Sequence, residues 1–374
     1  MSLRVAVVGN GGREHALRHV LSRTATVVDD EADLYVIGPE APLVEGLADR
    51  LRAEGKLVFG PGADGARLEG SKGWMKEVLD AAGVPTARHR TFTSPDGVAD
   101  FVRGLRGAAV KTDYLAAGKG VLVSTDHDEL VADAQAKLQH GAVVVEELLT
   151  GPELSVLAVC NGKDFVLLPP ARDHKRVGDG DTGPNTGGMG AFSPVPDAAG
   201  IDVSDVVRAT LDELLRRGID YRGVLYAGLM LTPDGPRMLE YNVRFGDPEA
   251  QVVLPRITSD LAELLRAAAA GEPLPPPSFT EDAAVTVVLV AEGYPGEVRK
   301  GDPIAGIEAA EAVPGVTVFR AAVDERGRTN GGRVLNVTAL APTLAEARAR
   351  AYEGVDRISW PGMHYRKDIC SQWQ

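Results

Sequence analysis

The sequence predicts a multidomain protein of mixed α/β and α+β class, with a small parallel α/β domain, a larger central domain and a small α+β domain at the end. Three observations support this prediction. With 374 residues, 44% of them hydrophobic, the chain can bury a large core and is long enough for two or three domains. Strands alternate with helices over residues 1–70. A proline-rich stretch, GEPLPPPSFTEDA at 271–283, indicates a linker.

Short apolar runs divide the first domain into strands and helices. LRVAVV (3–8) predicts a buried strand, and after the glycine turn GNGGREH the apolar residues of 14–23 recur at helical spacing. DLYVIGPE (33–40) predicts a second strand, LVEGLADRLRAEG (43–55) a helix and KLVFGP (56–61) a third strand. Such alternation is typical of a parallel sheet.

The central region, 71–270, has a different arrangement of predicted helices and strands. SKGWMKEVLDAAG (71–83) predicts an amphipathic helix, and the chain over 108–125 predicts two strands that flank a glycine loop. We expect a lid subdomain at about 95–158. The other expected elements are an extended segment at 85–92, strands within 143–149 and 153–171, helices at 202–217 and 260–270, and a hairpin at 223–245 with a Pro-Asp-Gly turn.

The last region, 284–374, combines strands with one helix. AAVTVVLVAEGYPG, GVTVFRAAV and GGRVLNVTAL predict strands, and TLAEARARAYEGVDRI predicts a helix after them. The region is expected to form a small α+β domain.

Charge and cysteine content exclude several classes of protein. The net charge of −13 would repel duplex nucleic acid and anionic membranes, so an anionic ligand must be held by locally placed cations. Cys160 and Cys370 lack the spacing of a disulfide framework or a zinc site. The N-terminus lacks the features of a signal peptide, and no window is apolar enough for a membrane span. We expect a cytoplasmic protein.

Two glycine-rich stretches are candidate anion sites. DHKRVGDGDTGPNTGGMGAFSP (173–194) has almost nothing apolar to bury, so it is either a mobile surface loop or a loop whose N–H groups and cations hold a small anionic substrate. GNGGREH could bind a phosphate at a helix N-terminus, but Glu14 stands where the third glycine of a dinucleotide fingerprint would be. An ordinary strand-to-helix turn remains open there.

Lysines and carboxylates elsewhere suit a nucleotide. AAGKG (116–120) lies between strands and is not a P-loop, but a glycine hairpin there could close over phosphates. Lys72 and Lys111 could face a polyphosphate, or each could be solvated. Glu146 and Glu147 could bind an adenine amino group and a ribose hydroxyl, or be half-exposed strand residues.

The strongest single motif is MLEYNVRFGDPEAQ (238–251). Glu240 and Asn242 are two residues apart on one strand and therefore face the same side. Oxygen ligands so placed can hold Mg²⁺ against triphosphate oxygens. Arg244 falls on the same face, and a plain ion pair between Glu240 and Arg244 is the alternative.

Several motifs together resemble one family. GNGGREHAL, VIGPEAPLV, LEGSK, LAAGKGV, DHKRVGDGDTGPNTGGMGAFSP, EYNVRFGDPE, GYPG and TNGGRV, in this order, are similar to the phosphoribosylamine–glycine ligase (glycinamide ribonucleotide synthetase) family. The similarity extends from residue 3 to 367–369. It implies an ATP-grasp fold with a biotin-carboxylase-N-like first domain. It also implies an enzyme of purine biosynthesis that phosphorylates the glycine carboxylate with ATP and couples the acyl phosphate to 5-phosphoribosylamine.

The resemblance further implies cofactors, assembly and residue roles. It implies ATP with Mg²⁺ or Mn²⁺, and a monomer or weak homodimer. Glu240 and Asn242 would be the metal ligands. The ATP site would comprise Lys72, Lys111, Gly118, Lys119, Gly120, Glu146, Glu147 and Glu153. The glycine and phosphoribosylamine pockets would be lined by Asn10, Gly11, Gly12, Glu40, Asp173, His174, Lys175, Asn185, Gly187, Gly188, Met189, Gly190 and Arg244, of which Asp173, Lys175 and Arg244 would be catalytic.

Two departures from the family pattern keep other interpretations open. The family's further strand, Pro-Gly-Asn loop and helix are missing between Val20 and Leu34, so one wall of the amine pocket is expected to be absent. Thr112 and Tyr114 replace small residues beside the glycine loop. A paralogue that joins an amino-acid carboxylate to another amine is therefore an alternative. A catalytically silent nucleotide-binding protein is another, although it would not need a metal site.

Overall fold

The computed structural model describes residues 2–114 and 120–373, and it confirms the predicted α/β and α+β class. In chain order the strands are β1 (Arg4–Val8), β2 (Thr26–Val28), β3 (Leu34–Ile37), β4 (Val58–Phe59), β5 (His89–Phe92), β6 (Ala108–Thr112), β7 (Val121–Ser124), β8 (Val143–Glu147), β9 (Glu153–Asn161), β10 (Phe165–Leu167), β11 (Arg172–Asp173), β12 (Arg176–Gly178), β13 (Thr182–Asn185), β14 (Gly190–Ser193), β15 (Arg222–Thr232), β16 (Gly235–Asn242), β17 (Ala283–Val290), β18 (Val316–Arg320) and β19 (Arg333–Ala341). The α-helices are α1 (Gly12–Leu21), α2 (Glu40–Val44), α3 (Leu47–Ala53), α4 (Ala63–Gly70), α5 (Lys72–Ala82), α6 (Val98–Arg103), α7 (His127–Leu138), α8 (Ser204–Arg216), α9 (Ala250–Val253), α10 (Leu261–Ala270), α11 (Ile307–Glu311) and α12 (Leu344–Val355).

The first sheet is parallel, with strand order β2-β1-β3-β4. β2 and β3 lie on opposite sides of β1, yet only residues 29–33 connect them. Parallel strands usually need a crossover of about a dozen residues. Here β2 is three residues long, about 10 Å, so a short connection can return past the start of β1. Arg4 holds this connection through Asp30 (3.0 Å) and the carbonyl of Glu31 (2.9 Å).

Several local expectations in this domain were incomplete. The helix expected over 43–55 is interrupted at Gly46, whose φ of 78° lies in the left-handed region, so that α2 and α3 replace one helix. The expectation that a strand is missing between Val20 and Leu34 was wrong, because β2 lies there, although no helix stands between β2 and β3 in this described part of the chain. α4 was not expected either, because it is short and carries few apolar residues. Among the described residues, no helix has the length and apolarity needed to cross a membrane.

The lid region forms its own antiparallel sheet, β5-β8-β6-β7, packed against α6 and α7. Its apolar side chains form a cluster separate from the two larger cores. The buried members of this cluster are Phe92, Val98, Val102, Leu105, Ala108, Val110, Leu130, Ala134, Val143 and Val145. The lid is therefore a small layered unit with an independent core.

Two further antiparallel sheets of four and five strands lie outside the lid, in addition to the two-stranded β12–β13 sheet. The first has the order β10-β9-β15-β16 and includes the expected hairpin. The second has the order β11-β14-β17-β19-β18. β11 and β14 precede the 271–283 segment in the chain but pair into the sheet of the last region, so the central and last regions are joined through continuous strand pairing. The domain limits expected from the sequence stay predictions.

The stretch 173–194 is not an irregular loop. It contains the short hairpin β12–β13 and ends in β14, which is buried and pairs with β17. The ends of the stretch are thus fixed to sheets, and its exposed part is the hairpin.

Burial along α8 provides a test of the core. Leu214 is fully buried in the largest core, whereas the next residue, Leu215, is 50% exposed. Leu214→Ala should lower the free energy of unfolding by about 2–5 kcal/mol, because it leaves a cavity. Leu215→Ala should change it by about 0.5 kcal/mol or less. Urea unfolding followed by circular dichroism measures both, and equal midpoint shifts would contradict this packing.

Candidate active site

A buried cluster of charges connects α5 with the lid sheet. Glu146 on β8 lies between two lysines: its Oε2 is 2.9 Å from Lys76 Nζ and its Oε1 is 2.9 Å from Lys111 Nζ. Lys76 also donates to Thr86 Oγ1 (2.7 Å), which donates to the carbonyl of Met238 (2.6 Å). The cluster therefore joins β8 and β6 of the lid to the strand that carries Glu240.

The electrostatics of this cluster favour an anionic ligand. Burial alone would lower the pKa of Lys111, but Glu146 and Glu240 hold it above its ordinary value. Burial lowers the pKa of Lys76 and of Lys72, although nearby carboxylates act in the opposite direction. Three ammonium groups thus converge near Glu146 and Glu240, and an additional anion would compensate their charge.

Lys72 lies beside the glycine-rich segment. It is the first residue of α5, and its Nζ is 3.4 Å from the carbonyl oxygen of Tyr114. Asp113 binds the start of the same helix by accepting from Gly73 N (2.9 Å) and Ser71 Oγ (3.0 Å).

Of the expected loop residues, Gly118 and Lys119 lie outside the described residues. The carbonyl of Gly120 accepts from Thr112 N at 3.0 Å. The ring of Tyr114 is 43% exposed and lies close to Gly141.

Glu240 and Asn242 lie on β16, as the strand alternation predicted. Among the described residues, Glu240 has no hydrogen-bond or ion-pair partner. Asn242 Oδ1 accepts from Arg244 Nη2 at 3.1 Å. Two hard oxygen donors thus occupy one side of the strand.

Arg244 is held by two carboxylates rather than by Glu240. Its guanidinium contacts Glu69 Oε1 (2.9 Å) and Glu40 Oε2 (3.3 Å). Glu69 also accepts from Val243 N (2.8 Å), which fixes the backbone next to Arg244. Burial would lower the pKa of Arg244, but these carboxylates raise it, so the side chain is a permanent cation.

A second group of charged residues surrounds Lys175. Its Nζ contacts both oxygens of Asp173 (2.8 and 2.9 Å) and Glu153 Oε2 (3.3 Å). Tyr226 Oη donates to Glu249 Oε1 (2.8 Å) behind this group. Burial and the negative charge of Asp173 raise the pKa of both Glu153 and Glu249.

The glycine run after the β12–β13 hairpin packs against the last region. Arg333 donates to the carbonyl of Gly187 and contacts Asp247 Oδ2 at 3.1 Å. Gly188 has a φ of 114° and approaches Pro248 closely, so a side chain there would clash and be strained. The remaining expected residues of this run are Asn185 at the end of β13, Met189, which is buried, and Gly190 on β14.

In the glycine turn after β1, the side chain of Glu14 binds the turn's own backbone. Gly11 N donates to Glu14 Oε2 at 2.6 Å, so this donor is already used, and Asn10 Oδ1 is 3.4 Å from Arg18. Gly12 packs directly on Asn336.

Three family models together match most of this chain. The family model "Phosphoribosylglycinamide synthetase, ATP-grasp (A) domain" matches residues 70–250, the model of the C domain matches 284–372 and that of the N domain matches 20–69. This chain belongs to the phosphoribosylglycinamide synthetase family. It is a ligase of purine biosynthesis.

Individual relatives agree with this family over nearly their whole length. The phosphoribosylamine–glycine ligases of Synechocystis and Streptomyces coelicolor are each 45% identical to the chain, with 98% and 99% of the chain and 99% of each relative covered. The crystal structure of the ligase from Thermotoga maritima has a TM-score of 0.85 at 34% identity, covering 98% of this chain and 100% of that one. The Synechocystis alignment spans 415 positions, more than the 374 residues of the chain, so that relative has residues that this chain lacks.

A more distant structure shares the fold alone. The biotin carboxylase domain of 2-oxoglutarate carboxylase from Hydrogenobacter thermophilus has a TM-score of 0.74 at 16% identity. As a member of an ATP-grasp family, the chain uses ATP with a divalent metal, and its substrates are small molecules.

The family residues are not all gathered together. Glu147 points away from the Glu146 cluster, because neighbours on a strand alternate, and its Oε1 accepts from Arg88 N at 2.8 Å. His174, which follows β11, accepts from Cys370 N (3.3 Å). The roles assigned to the individual residues remain predictions.

Sequence reasoning missed four charged residues that support the site. Lys76, Glu69, Glu249 and Arg333 were not expected to contribute. Lys76 carried a usable signal, because it lies among Met75, Val78 and Leu79 on the buried side of an amphipathic helix. The others pair with residues far away in the chain, which no local pattern indicates.

Adjacent glutamates on β8 provide a test of the buried cluster. Glu146→Gln should destabilise the protein by about 3–5 kcal/mol, because it leaves two buried lysines without their shared counter-ion. Glu147→Gln should have little effect, since an amide oxygen can still accept from Arg88 N. Adding Lys76→Met to Glu146→Gln should recover part of the loss. Urea unfolding measures each variant, and an equal cost for the two glutamates would contradict the cluster.

Proposed function

We propose that this chain couples glycine to 5-phosphoribosylamine, with ATP converted to ADP and phosphate, and that the cleft between β16 and the lid sheet performs the reaction. The observation that supports this most directly is the joint placement of Glu240, Lys111 and Arg244. The carboxylate of Glu240 has no side-chain partner among the described residues, and its charge raises the pKa of the buried Lys111. Two residues after Asn242, the guanidinium of Arg244 is fixed by Glu69. Such an arrangement suits the transfer of a phosphoryl group to a carboxylate.

The nucleotide part of the site is assigned to the lysine cluster. Lys72 and Lys111 would bind the triphosphate, with Glu146 holding Lys111 in place. Gly118, Lys119 and Gly120 would lie over the phosphates, and Glu147 would face the adenosine part. Because Lys111 is buried and strongly paired, its ammonium remains charged and does not need to reorganise when ATP binds.

The donor set on β16 fits a hard divalent cation. Glu240 has no partner among the described residues, and Asn242 presents an amide oxygen from the same strand face. One carboxylate and one amide would leave the remaining coordination positions to phosphate oxygens and water, which suits Mg²⁺, with Mn²⁺ as the alternative. The cation would offset charge on the β- and γ-phosphates during transfer.

The acceptor part of the site is assigned to Arg244, Asp173 and Lys175. Arg244 and Lys175 would hold the glycine carboxylate, whose oxygen attacks the γ-phosphorus while ADP leaves. Asp173 would orient Lys175 and face the glycine ammonium. In the second step the amine nitrogen attacks the acyl carbon, phosphate leaves and the nitrogen loses a proton. The glycine run would lie beside the acyl phosphate, although Gly187 N and Gly188 N already donate to Tyr294 Oη and Thr186 Oγ1.

The ribose-phosphate part is the least complete. Asn10, Gly11, Gly12 and Glu40 would line it, but the N–H of Gly11 already binds Glu14. Arg13 and Arg333 supply nearby positive charge, and each is anchored by a backbone carbonyl or a carboxylate. A weakened interaction with the amine substrate is consistent with the short connection at 29–33.

Replacing the proposed metal carboxylate should stop turnover. Glu240→Gln keeps the size of the side chain but removes its charge, so ADP release with ATP, Mg²⁺, glycine and phosphoribosylamine should fall about a hundredfold or more. Glu325→Gln, in an exposed turn, is the matched control and should retain activity. Near-normal turnover of Glu240→Gln at low magnesium would refute the metal role.

The short connection should affect the amine substrate selectively. When an interaction that is equally strong in the ground and transition states is removed, KM rises with little change in kcat. We therefore expect a high KM for phosphoribosylamine and ordinary values for ATP and glycine, all measured by steady-state ADP release. As a matched variant, grafting the longer segment of the Streptomyces relative between α1 and β3 should lower the KM for phosphoribosylamine alone. If phosphoribosylamine fails at every concentration while another amine triggers ADP release, the proposed substrate is wrong.

A further inference from the structure

The β12–β13 hairpin has little apolar packing to hold it, since Val177 is the side chain that packs against the largest core. Between positions 176 and 185 its one apolar side chain other than proline is Val177, and its tip, 179–184, is exposed. Only two residue pairs define its register, with an irregularity between them. A two-stranded hairpin of this kind is marginal in water on its own. Another part of the chain must therefore fix it.

The segment 364–370, here called the C-terminal strap, contacts the first strand and the tip of the hairpin, residues 176–181. His364 Nε2 donates to the carbonyl of Val177 (2.9 Å), and Lys367 N donates to Asp179 Oδ1 (2.7 Å). Asp368 Oδ2 accepts from Gly180 N (2.8 Å). These contacts involve both main chain and side chain on each side.

Arg366 is the centre of the strap. Its side chain is 1% exposed, although it carries a full charge. Nη1 donates to Asp181 Oδ1 (2.7 Å) and to the carbonyl of Arg176 (3.1 Å). Nε and Nη2, on another edge of the guanidinium, each donate to Asp368 at 2.7 Å. Burying a guanidinium costs desolvation free energy unless its N–H donors are satisfied. Here those donors bind both the hairpin and the strap itself.

The electrostatics of the strap agree with this geometry. Burial would raise the pKa of Asp368, but the bonds from Arg366 and from Gly180 N hold it well below its ordinary value. Asp181, which meets Arg366, has a φ of 54°, a conformation that residues other than glycine seldom adopt. The hairpin tip is thus held in a shape that it would not take by itself.

The strap also reaches the residues before the hairpin. Cys370 N donates to His174 Nε2 (3.3 Å), between Asp173 and Lys175, and His174 N in turn bonds to the carbonyl of Gly190 (2.9 Å). Both ends of the proposed acceptor site are therefore linked to the same strap through His174.

We propose that the C-terminal strap, with Arg366 as its central positioning residue, fixes the 173–190 stretch so that Asp173, Lys175 and the glycine run are held in register for the acceptor substrate. This inference rests on the proposed function, because it assigns the acceptor site to that stretch. Arg366 is too deeply buried, and too fully engaged, to contact a substrate itself.

The test uses the full chain with Arg366→Met and the milder Asp181→Asn, whose side chain is 67% exposed. KM for glycine should rise about tenfold to a hundredfold in Arg366→Met and less in Asp181→Asn, because a small displacement of positioning groups weakens productive binding. The dissociation constant for ATP should stay within about twofold of the wild-type value. The double variant should lose no more than Arg366→Met alone, since both changes remove the same ion pair.

A matched control and a substrate-free measurement separate positioning from folding. Arg357→Met removes an exposed arginine paired with Glu353 and should leave KM for glycine unchanged. Hydrogen exchange of the substrate-free protein should increase over 173–190 in Arg366→Met and not over the lid. Failure of the wild-type protein to use glycine would refute the proposed function, but it would leave the exchange result as a test of the strap. Unchanged exchange over 173–190, or an equal rise in the KM for ATP and glycine, would overturn the proposal.

Discussion

The short segment 242–247, just after β16, is where the regions of this protein are held together by charge. Arg244 binds Glu40 of the first region and Glu69 at the end of α4. The carbonyl of Phe245 accepts from Arg13, and Asp247 binds Arg333 of the last region. Because these charges are largely buried, each depends on its partner, and displacing any one region would leave unpaired charges on the others. The relative placement of the proposed metal ligands, the proposed acceptor residues and the N-terminal turn depends on this junction.

Much of the fold could be predicted because local patterns were strong. The alternation in 238–251 placed Glu240 and Asn242 on one face, and the apolar spacing of α1 and α12 was clear. Some missed elements, such as β2 and α4, were short, and their few apolar residues gave no clear period. The lid helices α6 and α7 were also not predicted, although α7 has 12 residues. The pairing of β14 with β17 joins residues about a hundred positions apart, and no local pattern carries that information.

The site was predicted less completely for a related reason. Motifs identified residues that a substrate would meet, but supporting residues such as Lys76 and Glu69 act through other side chains. The two adjacent glutamates on β8 show what the sequence pattern could not predict. The sequence presents Glu146 and Glu147 as equivalent, yet one is buried between two lysines and the other accepts from a backbone N–H. The glycine-rich stretch was expected to be a loop. Its fixed shape could not be predicted, because the contacts that hold it come from the C-terminal strap, nearly two hundred residues later.

The separate core of the lid has a consequence for the order of events in the cleft. A unit that keeps its own apolar cluster can rotate as one body without exposing much apolar surface. Its position is therefore set by the contacts at its border rather than by apolar packing. At that border lie Lys76, Glu146 and Lys111, which carry one more positive than negative charge. The net charge at this border changes whenever a phosphate group enters or leaves. With ATP bound as proposed, the triphosphate would offset this excess positive charge, and the force that holds the lid against the rest of the chain would change again when ADP and phosphate leave.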